Sequence, residues 1–213
     1  MTMKRFLPLS CAAVLAASVA VAQDYKLETV STAPPGAPAS YSALMAAQGY
    51  RLNGSSGPWC EVWLRKQIPG AAKSGDQAVS FSIAQGTLLG ILRFPGQGAD
   101  RRGQVIKPGA YTMRYSLQPA DGAHVGSAPQ RDFVLLTPIG NDPDPNAMPG
   151  FEGLVQMSVK ASGTAHPAVL SLETPGGSSQ FPSVTREGES DWVLNAKAGD
   201  LPLAIILVGK VSA

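Results

Sequence analysis

Ile106-Lys107-Pro108-Gly109-Ala110-Tyr111-Thr112-Met113-Arg114-Tyr115-Ser116-Leu117 is the stretch that decides the fold. A Pro-Gly turn feeds a run in which Tyr111, Met113, Tyr115 and Leu117 face one way, and Thr112, Arg114 and Ser116 the other. Side chains alternate across a strand, so this pattern marks a strand with one face in a core. Similar short runs, cut by Gly and Pro, extend in both directions along the chain, which has 23 Gly and 18 Pro. Tyr25–Val30, Trp59–Lys66, Ala78–Ile83, Thr87–Phe94, Ala110–Leu117, Asp132–Pro138, Ala168–Glu173, Asp191–Ala196 and Leu203–Val211 all read as strands. That spacing predicts a mainly β chain folded as a single β-sandwich.

Leu203-Ala204-Ile205-Ile206-Leu207-Val208 is apolar without alternation, which predicts a strand buried on both faces. Ala198-Gly199-Asp200 before it reads as a hairpin turn from Trp192–Ala196. Two short helices are expected. Ser40 is placed to cap Tyr41–Gln48, which ends at Gly49. Phe151–Ala161 carries Glu152 in its first turn, Lys160 in its last and Ser162-Gly163 as its stop. Those end charges suit the helix dipole and favour helix over the alternative strand reading of Val155, Met157, Val159 and Ala161.

The first 22 residues read as a cleavable signal peptide. Lys4 and Arg5 form a basic start, Phe6 to Val21 is almost wholly apolar and small, and Ala20-Val21-Ala22 is a small-x-small cleavage site. The apolar run is too short and Ala-rich for a span of about 20 residues, so no stable membrane span is expected after cleavage. The expectation is an exported protein, periplasmic or secreted, with residues 23–213 as a single domain carrying an N-terminal arm. The whole chain has 17 Lys plus Arg against 15 Asp plus Glu, and losing Lys4 and Arg5 evens the balance. Nucleic-acid binding needs a clustered positive field, and none is present. Arg101-Arg102, beside Asp100 in a Gly-rich loop, reads as a solvated turn.

After cleavage Cys60 is the remaining cysteine, so no internal disulfide forms. It shares its alternation with Val62 and Leu64 and is expected to be buried.

Pro108-Gly109-Ala110-Tyr111-Thr112 resembles the Pro-Gly-x-Tyr-Thr turn of Ig-like and prealbumin-like β-sandwiches. The resemblance implies that Gly109 turns the chain and that the Tyr111 hydroxyl bonds back to a loop backbone, somewhat like a tyrosine corner. More broadly, Trp59 to Glu173, including Pro129–Leu136 and Ala161–Pro167, is similar to a group of exported bacterial proteins without an assigned activity. That resemblance supplies no catalytic residues.

The signature motifs of zinc helices, redox Cys pairs, serine nucleophile elbows and phosphate-binding Gly loops are all missing from the sequence. Three constellations remain. In Asn141–Asn146, the residues Asp142, Asp144 and Asn146 alternate as calcium ligands do, with Glu152 beyond them. Ala147 stands where the loop wants Gly, and Glu152 falls one position early. The alternative is a Pro-stiffened acidic turn whose side chains solvate free backbone amides. His124 and His166, joined by an Asp and by Ser162 or Ser127, offer a metal-dependent or His-based hydrolase site using the 141–146 acidic loop. Trp59, Glu61 and Trp63 point opposite to Cys60, Val62 and Leu64 on the simple alternation. Two Trp about 13 Å apart flanking a carboxylate would form a ligand platform, unless the Tyr41–Gln48 segment covers that face. The function expected first is a non-catalytic binding or structural module of unknown ligand, and the hydrolase stands second.

Overall fold

The structure is a computed structural model that describes residues 24–70, 72–73, 80–119, 131–177 and 179–210. The expected signal peptide lies outside those residues. In chain order the chain forms β1 (Lys26–Val30), α1 (Ala39–Ser42), β2 (Gly49–Gly54), β3 (Gly57–Leu64), β4 (Ala72–Lys73), β5 (Phe81–Ser82), β6 (Leu88–Phe94), β7 (Gly98–Ala99) and β8 (Val105–Ile106). It continues through β9 (Gly109–Leu117), β10 (Asp132–Pro138), a 3-10 turn (Ile139–Asn141), α2 (Phe151–Ser162), β11 (Val169–Glu173), β12 (Ser183–Glu187), β13 (Asp191–Ala198) and β14 (Leu201–Val208). The chain is mainly β, as the alternation predicts.

Ten strands form one antiparallel sheet in the order β1-β2-β3-β6-β9-β10-β11-β14-β13-β12. From β1 to β11 the sheet is a meander, with β4–β5 and β7–β8 set aside as small hairpins. The chain then jumps to the far edge and returns through β12, β13 and β14. The two edges approach each other: Tyr25, just before β1, meets Trp192 of β13 edge-on, with ring centroids 5.5 Å apart. The sheet is thus nearly closed into a barrel.

One face of the sheet lines the interior. Val62, Leu92, Met113, Val134, Leu170, Leu194 and Ile205 pack there into one core, each such side chain contributing about 1.5–3 kcal/mol of burial. Cys60 is buried among them, and burial pushes its thiol well above the usual range. The Tyr111 hydroxyl donates to the carbonyl of Lys107 at 2.6 Å, the bond back to a loop backbone that the turn implies. β14 is buried on both faces: Leu203, Ile205 and Leu207 join the main core, while Ala204 and Ile206 meet Val193 on the other side. The hairpin before it turns at Gly199, whose φ of 62° lies in the left-handed region.

The helices divide in their outcome. α2 covers Phe151–Ser162 and stops at Gly163, which takes φ 66°. Leu154, Ser158 and Ala161 form its buried face, at helical spacing. The first helix is shorter than expected and makes no side-chain cap bond. Its continuation is taken by strand-like pairing instead: Ala46 N–H donates to Leu64 O at 2.9 Å, and Lys66 N–H to Leu44 O at 2.9 Å. Tyr41 and Met45 are buried all the same, on the outer face of the sheet beside Trp63, Leu88 and Ile91. β2 and β12 were not expected from the sequence. Among the described residues no helix is long and apolar enough to cross a membrane.

Candidate functional site

The acidic segment is held by an arginine. Arg114 is fully buried on the outer face of β9, and all five of its guanidinium N–H bonds are used. Nε donates to Asp142 Oδ2 at 2.6 Å and Nη2 to Asp142 Oδ1 at 2.9 Å. Nη2 also donates to Asp144 O, and Nη1 to Gly86 O and Ala147 O, each at 2.7 Å. Thr112 Oγ1 adds a bond to Asp142 Oδ2 at 2.7 Å, and the Tyr41 hydroxyl donates to Asp142 O at 2.6 Å. Burial, with Asp142 next, raises the Tyr41 phenol above its ordinary range. The cation beside this loop is therefore a guanidinium in bidentate contact.

The calcium-loop residues do not converge. Asp144 Oδ1 accepts the Asn146 N–H at 2.9 Å, closing a local turn, and Glu152 lies exposed on α2. Among the described residues no group of three His, Cys, Asp or Glu is placed to hold a metal ion. The physical reason is that Asp142 turns inward to Arg114 while Asp144 turns outward to its own backbone.

The histidine constellation is placed only in part, because His124 and Ser127 lie outside the described residues. His166 is exposed after α2. Ser162 Oγ donates to the His166 carbonyl at 2.6 Å, so its bond is to backbone and not to the imidazole.

The aromatic platform is taken apart by an irregularity in register. β3 pairs with β2 through Leu52↔Cys60 and then Asn53↔Pro58, which leaves Trp59 as the extra residue of a bulge. Trp59 consequently turns toward the interior. It meets Phe94 edge-on at 5.9 Å and donates from Nε1 to Leu207 O at 3.2 Å. Trp63 remains on the outer face but is buried against Tyr41 and Met45, its Nε1 bonded to Thr32 O at 2.8 Å. Glu61 is buried between Arg51 and Arg93, 2.8 Å from each. Glu28, Arg51, Glu61 and Arg93 face one another across β1, β2, β3 and β6, a row of alternating charge. The three residues therefore do not share an open face.

A different place is concave. A cleft of about 140 Å³ lies against the outer face of β9, β10 and β11. Ser116, Phe133 and Ser171 form one cross-strand row of its floor, and Leu135 and Val169 the next. Phe151 and Val155 of α2 line it, as do Arg101, Arg102, His166 and Pro167. Phe151 is one of few exposed large apolar residues, at 37%.

The arginine turn is built rather than loose. Buried Asp100 accepts the N–H groups of Arg102 and Gln104, both at 3.0 Å, through Oδ1. Arg101 pairs with Asp191 at 2.6 Å. Arg102 Nη2 donates to Pro167 O at 2.6 Å, and Gln104 Nε2 to the same oxygen at 3.1 Å. Arg101-Arg102 is thus a turn with Arg102 exposed, as expected, while Arg101 is drawn in by Asp191. The Asp two residues before Arg102 was the available signal, since Asp folds its own following backbone.

Comparison with family models, curated proteins and solved structures finds no match.

Proposed function

We propose that the protein is an exported, non-catalytic binding module, periplasmic or secreted, whose ligand site is the cleft between α2 and the outer face of β9, β10 and β11. The observation that carries the reading is the cleft's lining: Phe133, Leu135, Val169, Phe151 and Val155 supply apolar area, Ser116 and Ser171 flank Phe133 in the floor, and Arg101, Arg102 and His166 gather at one edge, the usual make-up of a small-molecule site. Its volume of about 140 Å³ matches the space that holds a single aromatic ring, about 150 Å³ in an apolar cavity. Export rests on the leader's basic, apolar and small-x-small sequence, and on the resemblance to exported bacterial proteins. The finer fold type, an Ig-like or prealbumin-like sandwich, belongs to the same proposal and is supported by the Tyr111–Lys107 bond.

Val155→Trp places an indole in the cleft from a half-buried helix position. A panel of single-ring compounds is expected to raise the melting temperature of the native protein and to leave that of Val155→Trp unmoved. A panel that moves neither protein, or both alike, contradicts the reading. Export predicts that the full chain, expressed in a bacterial host, is recovered outside the cytoplasm with Gln23 as its first residue. Recovery of intact protein still beginning at Met1 in the cytoplasm contradicts it.

A further inference from the structure

Resting on the cleft as a binding site, we infer that its ligand is a small carboxylate with an apolar body about the size of one ring. Size and charge point to this class together. The floor of Phe133, Leu135 and Val169 offers apolar area and no charge. Arg101, Arg102 and His166 are its titratable lining, and none of the lining residues is an Asp or Glu.

The donors at that edge are also in the right state. Arg102 spends Nη2 on Pro167 O, and its Nε and Nη1 have no protein partner among the described residues. Asp100 is 3.6 Å from Arg102 Nη2, but its oxygens are committed to the N–H of Arg102, the N–H of Gln104 and the Gln104 amide. Its role is to shape the turn, and the N–H groups at Nε and Nη1 remain open. Both bidentate edges of a guanidinium include Nη2, so Nε and Nη1 act separately, each able to donate a charge-assisted hydrogen bond to a carboxylate oxygen. The Pro167 bond fixes the guanidinium beforehand, so little side-chain freedom is lost on binding. An ammonium ligand would meet the like charge of Arg102, while Arg101 is paired with Asp191, and a neutral alcohol would accept from the same donors without the charge that strengthens the bond.

The probes are benzoate, benzyl alcohol and benzylamine, each titrated calorimetrically into the native protein and into Arg102→Gln. In the native protein benzoate is expected to bind at least tenfold more tightly than benzyl alcohol, with benzylamine weakest. In Arg102→Gln the benzoate preference should vanish while benzyl alcohol binding stays within about twofold. Equal affinity for the three probes in the native protein overturns the carboxylate assignment and leaves the cleft as a binding site. Failure of all three to bind overturns both. The native comparison decides the matter even if Arg102→Gln proves unstable.

Discussion

At the scale of single residues, Arg114 is the clearest case of a role the sequence hides. Its alternation with Thr112 and Ser116 places it correctly on the face opposite Tyr111 and Met113. An arginine on the outer face of a strand is ordinarily solvated, yet this one is covered by the segment that follows β10. Nothing in the local sequence pairs it with Asp142, because the contact depends on how the β10–β11 connection folds back. Removing one partner of a buried ion pair strands the other charge, at about 3–5 kcal/mol. Arg114→Met is therefore expected to lower unfolding free energy by about that amount in urea denaturation. Pairing it with Asp142→Leu should recover part of the loss. A single substitution that costs nothing measurable would show that the guanidinium does not hold the loop. Trp59 is the second hidden case. A one-residue bulge reverses its side, and bulges leave little trace in a sequence read by simple alternation.

At the scale of elements, the legible ones were those whose local chemistry agrees with their packing. β10 has the expected bounds, β9 starts one residue early, β13 ends two residues late, and β14 starts two and ends three residues early. α2 was readable because Glu152, Lys160 and Gly163 all mark the same helix. The first helix misled because Ser40 and the following apolar spacing resemble a cap and a helix face. Backbone pairing with Leu64 overrode that preference after one turn. β2 was missed because Gly49-Tyr50-Arg51-Leu52-Asn53-Gly54 has one strongly buried apolar side chain, Leu52, and ends in a turn dipeptide. Its stability comes from neighbours, including the charge row through Arg51, and not from its own hydrophobicity. β12, Ser183-Val184-Thr185-Arg186-Glu187, is polar for the same reason: it is an edge strand. The cleft could not be read at all. Its floor residues come from three strands, and its charged edge is a turn about 50 residues before the helix that faces it in the chain.

At the scale of the whole molecule, closure of the sheet gathers the aromatic residues into the interior and its flanks. All 5 tyrosines have phenols raised above the ordinary value, with burial the leading cause at each: Tyr25, Tyr41, Tyr50, Tyr111 and Tyr115. The folded state thus favours the neutral phenol. That contribution is fully present below the unfolded value of about 10, and it is lost as pH rises through the folded values. Stability should fall above pH of about 10, and phenolate absorbance should appear together with unfolding. Phenolate absorbance that rises around the ordinary value while circular dichroism stays native would contradict this packing. The central claim, that the fold carries a ligand site on the outer face of β9, β10 and β11, is tested most directly by a methyl-resolved NMR titration with benzoate. The account predicts saturable shifts concentrated at Leu135, Val155 and Val169. Shifts scattered over the surface, or centred on Val62 and Leu92 in the interior, would contradict it.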